Sequence, residues 1–357
     1  MDTSYHVIGL MSGTSLDGLD IAYCRFTYKS QNWIYEILNT TTLPYTDKLI
    51  DSLRDAETSG GLELVELDHA FGRFMGQRVH EFVQQHAIHP DFVASHGHTI
   101  FHQPHKHISL QLGNGAYLAA HAQLPVVCDF RTLDIALGGQ GAPLVPIGDE
   151  LLFGQYDYCI NLGGIANVSY SHNGTRLAFD TSACNMLLNT LANSLGLPYD
   201  DNGALARSGT LQQKLLEDLN QPAYFAAPAP KSLGKEWVLE HSLRSTEESN
   251  ASVADKLHTV CHHIAQQLKQ ALPLLHEGQH HVLLTGGGAF NAYLVEQIQQ
   301  QLGPKYSVEV PAPEVVSFKE ALIFAFLGVL RWRGEHNCLS SVTGASRNNV
   351  GGAIYLC

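Results

Sequence analysis

Met11-Ser12-Gly13-Thr14-Ser15-Leu16-Asp17-Gly18-Leu19-Asp20 decides how this chain is read. Tyr5 to Leu10 before it is apolar and β-prone, and Leu19 to Phe26 after it has the same character. The segment is therefore a strand, a tight turn of small residues, and a second strand. The pattern recurs in the second half. Tyr158 to Leu162 predicts a strand, Gly163-Gly164 a turn and Ala166 to Tyr170 another strand. A hairpin turn at His172-Asn173-Gly174 leads into a strand from Leu177 to Phe179 that ends at Asp180. Both halves thus open with a β-ribbon bent around a Gly/Ser/Thr turn, a duplication of topology and not of sequence.

A third glycine-rich turn, Thr285-Gly286-Gly287-Gly288-Ala289, follows the apolar run His281 to Leu284. Glycine lets backbone approach a ligand closely and aim N–H groups at it. Three such turns, two of them at corresponding places in the halves, suit a nucleotide held in a cleft between two lobes. No GxGxxG follows the first strand and no GxxxxGK[ST] occurs, which disfavours a Rossmann dehydrogenase and a P-loop enzyme.

Between these turns, strands alternate with helices, an α/β pattern. Leu62 to Gln85 carries apolar residues at helical spacing. Phe92 to Ser95 predicts a short strand that delivers Ser95-His96-Gly97-His98-Thr99. Gly115 to Ala122 predicts a helix, Pro125 to Cys128 a strand, and Leu137 to Pro143 a glycine-rich loop. Pro222 to Pro230 predicts a loop. Ser252 is a candidate N-cap with Asp255 in the capping-box position. Asn291 to Leu302 predicts a helix, and Lys319 to Trp332 a buried one. The expected domains are an N-terminal lobe over 1–136 and a C-terminal lobe over 137–357, with the last helix available to return to the first lobe.

The bulk properties narrow the function classes. At 357 residues with 45% hydrophobic and 15% charged, the chain is globular and large enough for two lobes. Its net charge is -13 and its Lys and Arg are scattered, which argues against a nucleic-acid partner. The seven cysteines include no CxxC, which points to a reducing compartment. The first residues read as a strand and not as a signal peptide, and no run of about 18 apolar residues predicts a membrane span. The expected location is the cytoplasm.

The residues also carry a resemblance. MSGTSLDGLD and NLGGIANVS resemble the two phosphate turns of actin/hexokinase-like ATPases, and LLTGGGAFN resembles their adenosine loop. Within that superfamily, MSGTSLDG, SHG-T---H-P, DFR--D-A-GGQGAPLVP, NLGGIAN, TGGG--N, KEA and VTGAS resemble the signature string of the anhydro-N-acetylmuramic acid kinases, over residues 11 to 346. The resemblance implies a two-lobed fold of duplicated ribonuclease H-like domains and an ATP-dependent kinase. It would open the 1,6-anhydro ring of its sugar to give N-acetylmuramic acid 6-phosphate, a step in peptidoglycan recycling. ATP would meet Gly13, Thr14, Ser15, Leu16, Asp17, Gly18, Leu19, Asp20, Gly163, Gly164, Asn167, Gly286, Gly287, Gly288 and Asn291. Asp180 would be the general base, and Arg131, His96, His98, Gln140 and Asn185 would meet the sugar. Mg²⁺ is expected, with Asp180 and Glu320 as ligands and Asp17 a further candidate, since Met11 stands where many superfamily relatives place an Asp. A homodimer is implied too.

Three positions depart from the family pattern. Asp180-Thr181-Ser182-Ala183-Cys184-Asn185 replaces a run of the kind DTGPGN, His98 stands where Gln is frequent, and Asn114 where Asp is frequent. Plainer readings stand beside the chemical ones. Asp180 could be an N-cap for the helix after it. Glu320 could serve the dipole of a helix starting there, Arg131 a salt bridge, and Gln140 a hinge. The His-rich run 96–107 lacks HExxH and companion cysteines, which disfavours zinc. Ser12 and Ser15 lack the GxSxG elbow of a hydrolase nucleophile. Two further functions are weighed: a kinase for another anhydro sugar such as levoglucosan, and a non-catalytic ATP-binding sensor or assembly module.

Overall fold

The computed structural model describes residues 3–357. The chain forms two compact units, one running up to Leu152 and taking in Phe318–Cys357, the other Phe153–Ser317. Each is built on one mixed sheet.

In the first unit, β1 (Thr3–Ser12), β2 (Leu19–Lys29) and β3 (Asn32–Leu43) form an antiparallel meander. Next come β4 (Phe92–Gln103), parallel to β1, and β6 (Val126–Cys128), parallel to β4. The short β5 (Ile108–Leu112) pairs with the far half of β4. In the second unit, β7 (Tyr158–Leu162), β8 (Ile165–His172) and β9 (Thr175–Ala183) form the meander, with β10 (His280–Thr285) and β11 (Tyr306–Glu309) parallel beyond it. The last strand, β12 (Ala353–Tyr355), closes the first sheet against β6. Read across, β3-β2-β1-β4-β6 and β9-β8-β7-β10-β11 share one order. The two sheets thus repeat one topology, as the two ribbons predicted, and it is the duplicated ribonuclease H-like arrangement implied by the resemblance to the actin/hexokinase-like ATPases. The turn between β8 and β9 holds Asn173 and Gly174, both at positive φ as a tight primed hairpin turn demands.

Three elements differ from expectation. β4 does not stop at Ser95 but continues to Gln103, so His96 and His98 are strand residues. β9 does not end at Asp180 but runs to Ala183. The helix expected from Lys319 begins at Pro313, with proline at its first position. Glu320 therefore sits two turns into that helix, away from the amino-terminal dipole, and the first-turn reading of it fails.

That last helix enters the first unit at Phe318 and lies directly on β1 and β4. Contact is close because small residues line it. A Cβ on Gly9 would overlap the Ala321 carbonyl, and one on Gly328 would press on Ala94 at 2.6 Å. Gly9→Ala is thus expected to push the helix off β1, at roughly 1–3 kcal/mol or more for overpacking. Thermal unfolding reads this as a Tm lowered by several degrees; an unchanged Tm would contradict the close packing. Among the described residues no helix is long and apolar enough to cross a membrane.

Candidate active site

Ligands of open α/β sheets bind beyond the carboxyl ends of the parallel strands. In the first unit those ends belong to β1, β4 and β6. β1 hands over at Ser12 to the turn 13–18, in which the Leu16 N–H donates to Gly13 O at 3.2 Å and Leu16 takes a left-handed conformation. Thr14, Ser15 and Asp17 are exposed on this turn, while Leu19 is buried at the start of β2.

β4 delivers His96 and His98, and β6 leads to Arg131. Arg131 donates through Nη2 to His96 Nε2 at 2.8 Å and through Nη1 to Gly141 O at 2.6 Å. Since His96 Nε2 accepts, its Nδ1 carries the proton and donates to Gly97 O at 2.9 Å. Burial, and then the Arg131 charge, hold the His96 imidazole well below its usual pKa, so it is neutral. Burial lowers the Arg131 guanidinium to about 10, opposed by Glu320. Asp20 is raised chiefly by burial, opposed by the Thr42 hydroxyl 2.6 Å from Oδ1. The Glu320 carboxyl, although its residue is exposed to solvent, is also raised, chiefly by the protein packed around it and against the opposing Arg131 charge. The Asp20 charge also raises Glu320, so the two carboxyls share a neighbourhood. Beside Glu320, Lys319 pairs with Asp149 at 2.7 Å in a buried ion pair that ties this helix to Val145–Leu152.

The glycine-rich loop after Arg131 is held by a residue that sequence reasoning passed over. Asp134 is fully buried. Its Oδ1 accepts from Thr343 Oγ1 at 2.8 Å, Asn349 Nδ2 at 2.9 Å and Cys338 Sγ at 3.0 Å, and its Oδ2 from the Gly141 N–H at 2.8 Å. Gln140 N–H donates to Thr343 O and Ser346 N–H to Leu137 O. The DFRTLD, GGQGAP and VTGAS segments are therefore one structure with Asp134 at its centre. The Gln140 residue is exposed on it.

In the second unit the ends of β7 and β10 lie side by side. Gly163 and Gly164 form the connection to β8, and their carbonyls accept the N–H groups of Cys184, Asn185 and Met186 at the start of the helix Asn185–Asn193. Asn185 Nδ2 donates to Leu162 O at 2.8 Å, so this amide is engaged within the protein. Gly286 sits at φ 79 against Asn161 and Leu162, where any side chain would collide. Gly287 and Gly288 follow in a short 3₁₀ turn. Asn291 caps the helix Ala292–Leu302 by accepting from the Leu294 N–H at 2.9 Å.

Asp180 lies inside β9, opposite Asn167 of β8, just before a bulge. The N-cap reading of it fails: Cys184 occupies that position for the following helix, and its side chain makes no cap bond. The segment 224–233 wraps Asp180 instead. Its N–H donates to Lys231 O at 3.2 Å, its carbonyl accepts from Tyr224 Oη at 2.7 Å, and its Oδ2 accepts from the Leu233 N–H at 2.8 Å. Among the described residues Oδ1 has no donor. Burial pushes the carboxyl up to about 6, with the Leu233 N–H pulling the other way. Lys231 Nζ in turn holds the Tyr224 and Phe225 carbonyls at 3.1 and 3.2 Å. Tyr224, Lys231 and Leu233 were not anticipated: PAYFAAPAPKSLG has loop composition, and Lys231 and Leu233 meet Asp180 through their backbone, which leaves no side-chain signature.

Asp180 belongs to the second unit and Glu320 to the first. Among the described residues no three His, Cys, Asp or Glu side chains are gathered for a metal. Mg²⁺ commonly takes one or two carboxylates and fills its shell with phosphate oxygens and water, so a carboxylate pair such as Asp20 and Glu320 is a chemically fitting donor set.

The family described as anhydro-N-acetylmuramic acid kinase matches residues 5–357. A relative of that name from Gloeobacter violaceus is 37% identical, covering 95% of this chain and 96% of its own. One from Hydrogenovibrio crunogenus is 35% identical, covering 98% and 97%. Among solved structures, the activator of the 2-hydroxyisocaproyl-CoA dehydratase from Clostridium difficile with bound ADPNP aligns with a TM-score of 0.42 at 13% identity, over 92% of this chain and 97% of that one.

Proposed function

The chain belongs to the anhydro-N-acetylmuramic acid kinase family, and from that membership we propose that it phosphorylates 1,6-anhydro-N-acetylmuramic acid with ATP while opening the anhydro ring. It is a sugar kinase, and its products are N-acetylmuramic acid 6-phosphate and ADP. The observation that carries the mechanism is Asp180: a carboxylate fixed at its backbone and at Oδ2, open at Oδ1, with a pKa of about 6. A base so tuned is ionised at neutral pH and still basic enough to take a proton.

Asp180 Oδ1 takes a proton from a water, whose oxygen bonds to the anomeric carbon. The bond from that carbon to O6 breaks, and O6 bonds to the γ-phosphorus as the bond to the ADP oxygen breaks. The turn 13–18 and the loops 163–164 and 286–288 offer backbone N–H groups to the phosphates and adenosine. Magnesium would supply charge neutralisation at the transferring phosphoryl group; Glu320 would hold it together with Asp20, which replaces the Asp180 expected from the sequence because Asp180 serves here as the base. Arg131, oriented by His96 and Gly141 O, offers its remaining N–H groups to the lactyl carboxylate. The cytoplasm is the fitting location, since all seven cysteines are free thiols and six are buried.

Arg131→Lys is expected to raise KM for the anhydro sugar ~10-fold or more, because a charge-assisted bond worth ~1.5–3 kcal/mol loses its fixed geometry. KM for ATP should hold. An equal rise in both would remove Arg131 from the sugar site. The activity itself is tested by ADP release with 1,6-anhydro-N-acetylmuramic acid, levoglucosan and N-acetylmuramic acid in parallel. ADP with the first alone supports the reading. ADP with levoglucosan instead would move the specificity, and none with any would favour a sensor.

A further inference from the structure

Beneath the first phosphate turn, Tyr45, Ser12 and His98 form a hydrogen-bonded chain that the reaction described above does not use. Tyr45 Oη donates to Ser12 Oγ at 2.6 Å, and Ser12 Oγ lies 2.9 Å from His98 Nδ1. The three residues are 7%, 1% and 4% exposed, so water does not compete for these bonds. The direction of the chain follows from proton counting. Ser12 and Tyr45 each have one hydroxyl proton, and among the described residues they meet no further acceptor. Both protons are satisfied in one arrangement only: Tyr45 to Ser12, and Ser12 to an unprotonated Nδ1. Nε2 then carries the ring proton. Burial lowers the His98 pKa, so the neutral ring is the form present.

Nε2 has no partner among the described residues, yet it is not among the sealed, unsatisfied side-chain nitrogens. It is the part of His98 left open to a ligand. It sits midway along β4, where His98 pairs with Ser12 at the carboxyl end of β1, two residues from the His96 that orients Arg131.

We propose that Tyr45 and Ser12 are positioning residues that lock His98 as an Nε2–H donor to an acceptor oxygen of the anhydro sugar. The inference rests on the sugar-kinase reading and adds to it a tautomer switch set from behind the site. A Gln at this position presents a donor without assistance; a His does so from Nε2 only when Nδ1 is held as an acceptor. Without Tyr45 the serine proton is free to turn away, and Ser12 can accept from an Nδ1–H. The ring then presents a lone pair where the sugar needs a proton.

The test uses the full chain labelled with ¹⁵N-histidine. Long-range ¹H–¹⁵N spectra report which His98 nitrogen is protonated, with His98→Gln providing the assignment. Wild type should show Nε2–H alone, and Tyr45→Phe and Ser12→Ala a mixture of tautomers. In kinetics, Tyr45→Phe should raise KM for the anhydro sugar several-fold with KM for ATP and kcat little changed, while His98→Gln, which keeps a donor, should stay nearer to wild type. An Nδ1–H tautomer in wild type, or a Tyr45→Phe protein with wild-type tautomer and KM, overturns the proposal. A rise confined to KM for ATP overturns the assignment to the sugar. If the wild type phosphorylates no sugar, the kinase reading fails on its own, and the spectra still decide the tautomer.

Discussion

Asp180→Asn is expected to lower kcat by about 10²–10⁴-fold, the usual contribution of a positioned general base, with ATP affinity unchanged. Asparagine keeps an acceptor for the Leu233 N–H, so the local structure survives. The pH dependence follows from the same group. The base must be ionised, and its pKa is about 6, so wild-type kcat/KM should rise with pH through about 6 and level off above it. Residual activity in the variant should lack that limb.

Stability should move the other way. The folded-state pKa lies above the ordinary aspartate value of about 3.9, so the protonated form is the one favoured by folding. Its contribution is fully present below about pH 4 and is lost as pH rises through 6. At pH 8 the ionised carboxylate costs up to about 3 kcal/mol. Asp180→Asn should therefore melt above wild type at pH 8, with the difference vanishing near pH 4. A variant that is both inactive and less stable at pH 8 would show that Asp180 holds the fold and is not poised at a cost to stability.

The second large effect is at Asp134. Asp134→Ala leaves the Cys338, Thr343 and Asn349 side chains and the Gly141 N–H without their acceptor. Each orphaned buried donor costs about 1–3 kcal/mol, and relief from burying a charge returns part of the sum. A net loss of about 3 kcal/mol lowers Tm by on the order of 10 °C for a unit of this size. Because the loop carrying Gln140 loses its anchor, KM for the sugar should rise as well. Asp134→Asn is a sharper probe: it keeps one acceptor oxygen but turns an NH₂ toward a donor, so it too should lose stability. A full-stability Asp134→Ala protein would show that the loop is held by other contacts.

The contrast between these two aspartates shows what a sequence can express. Asp180 stood at the end of an alternating strand beside a family motif, and was legible. Asp134 stood inside an equally recognisable motif, but a buried anchor and an exposed ligand are the same letter; its partners lie near residue 340, far along the chain. The ribbon turns at 13–18 and 163–164 were legible because apolar alternation broken by small residues is a local signal. The third strand, Asn32–Leu43, was not, because an edge strand with mostly half-buried residues and a Thr40-Thr41-Thr42 run has little alternation. Glu320 was found by its motif but assigned to the wrong turn of its helix, since the polar start Pro313-Glu314 hides where the helix begins. Tyr224, Lys231 and Leu233 reach Asp180 through bonds in which backbone or long-range partners matter, and no periodicity encodes these.

Ring opening coupled to phosphorylation is the central claim, and the mass of the sugar product tests it most directly. O6 of the anhydro sugar is bonded within the bridge, so transfer to O6 requires addition of water. Incubation with ATP and 1,6-anhydro-N-acetylmuramic acid should yield ADP and one sugar product heavier than the substrate by one phosphoryl group plus one water. A phosphorylated product that retains the anhydro bridge, or ADP formed with no phosphorylated sugar, would contradict the account.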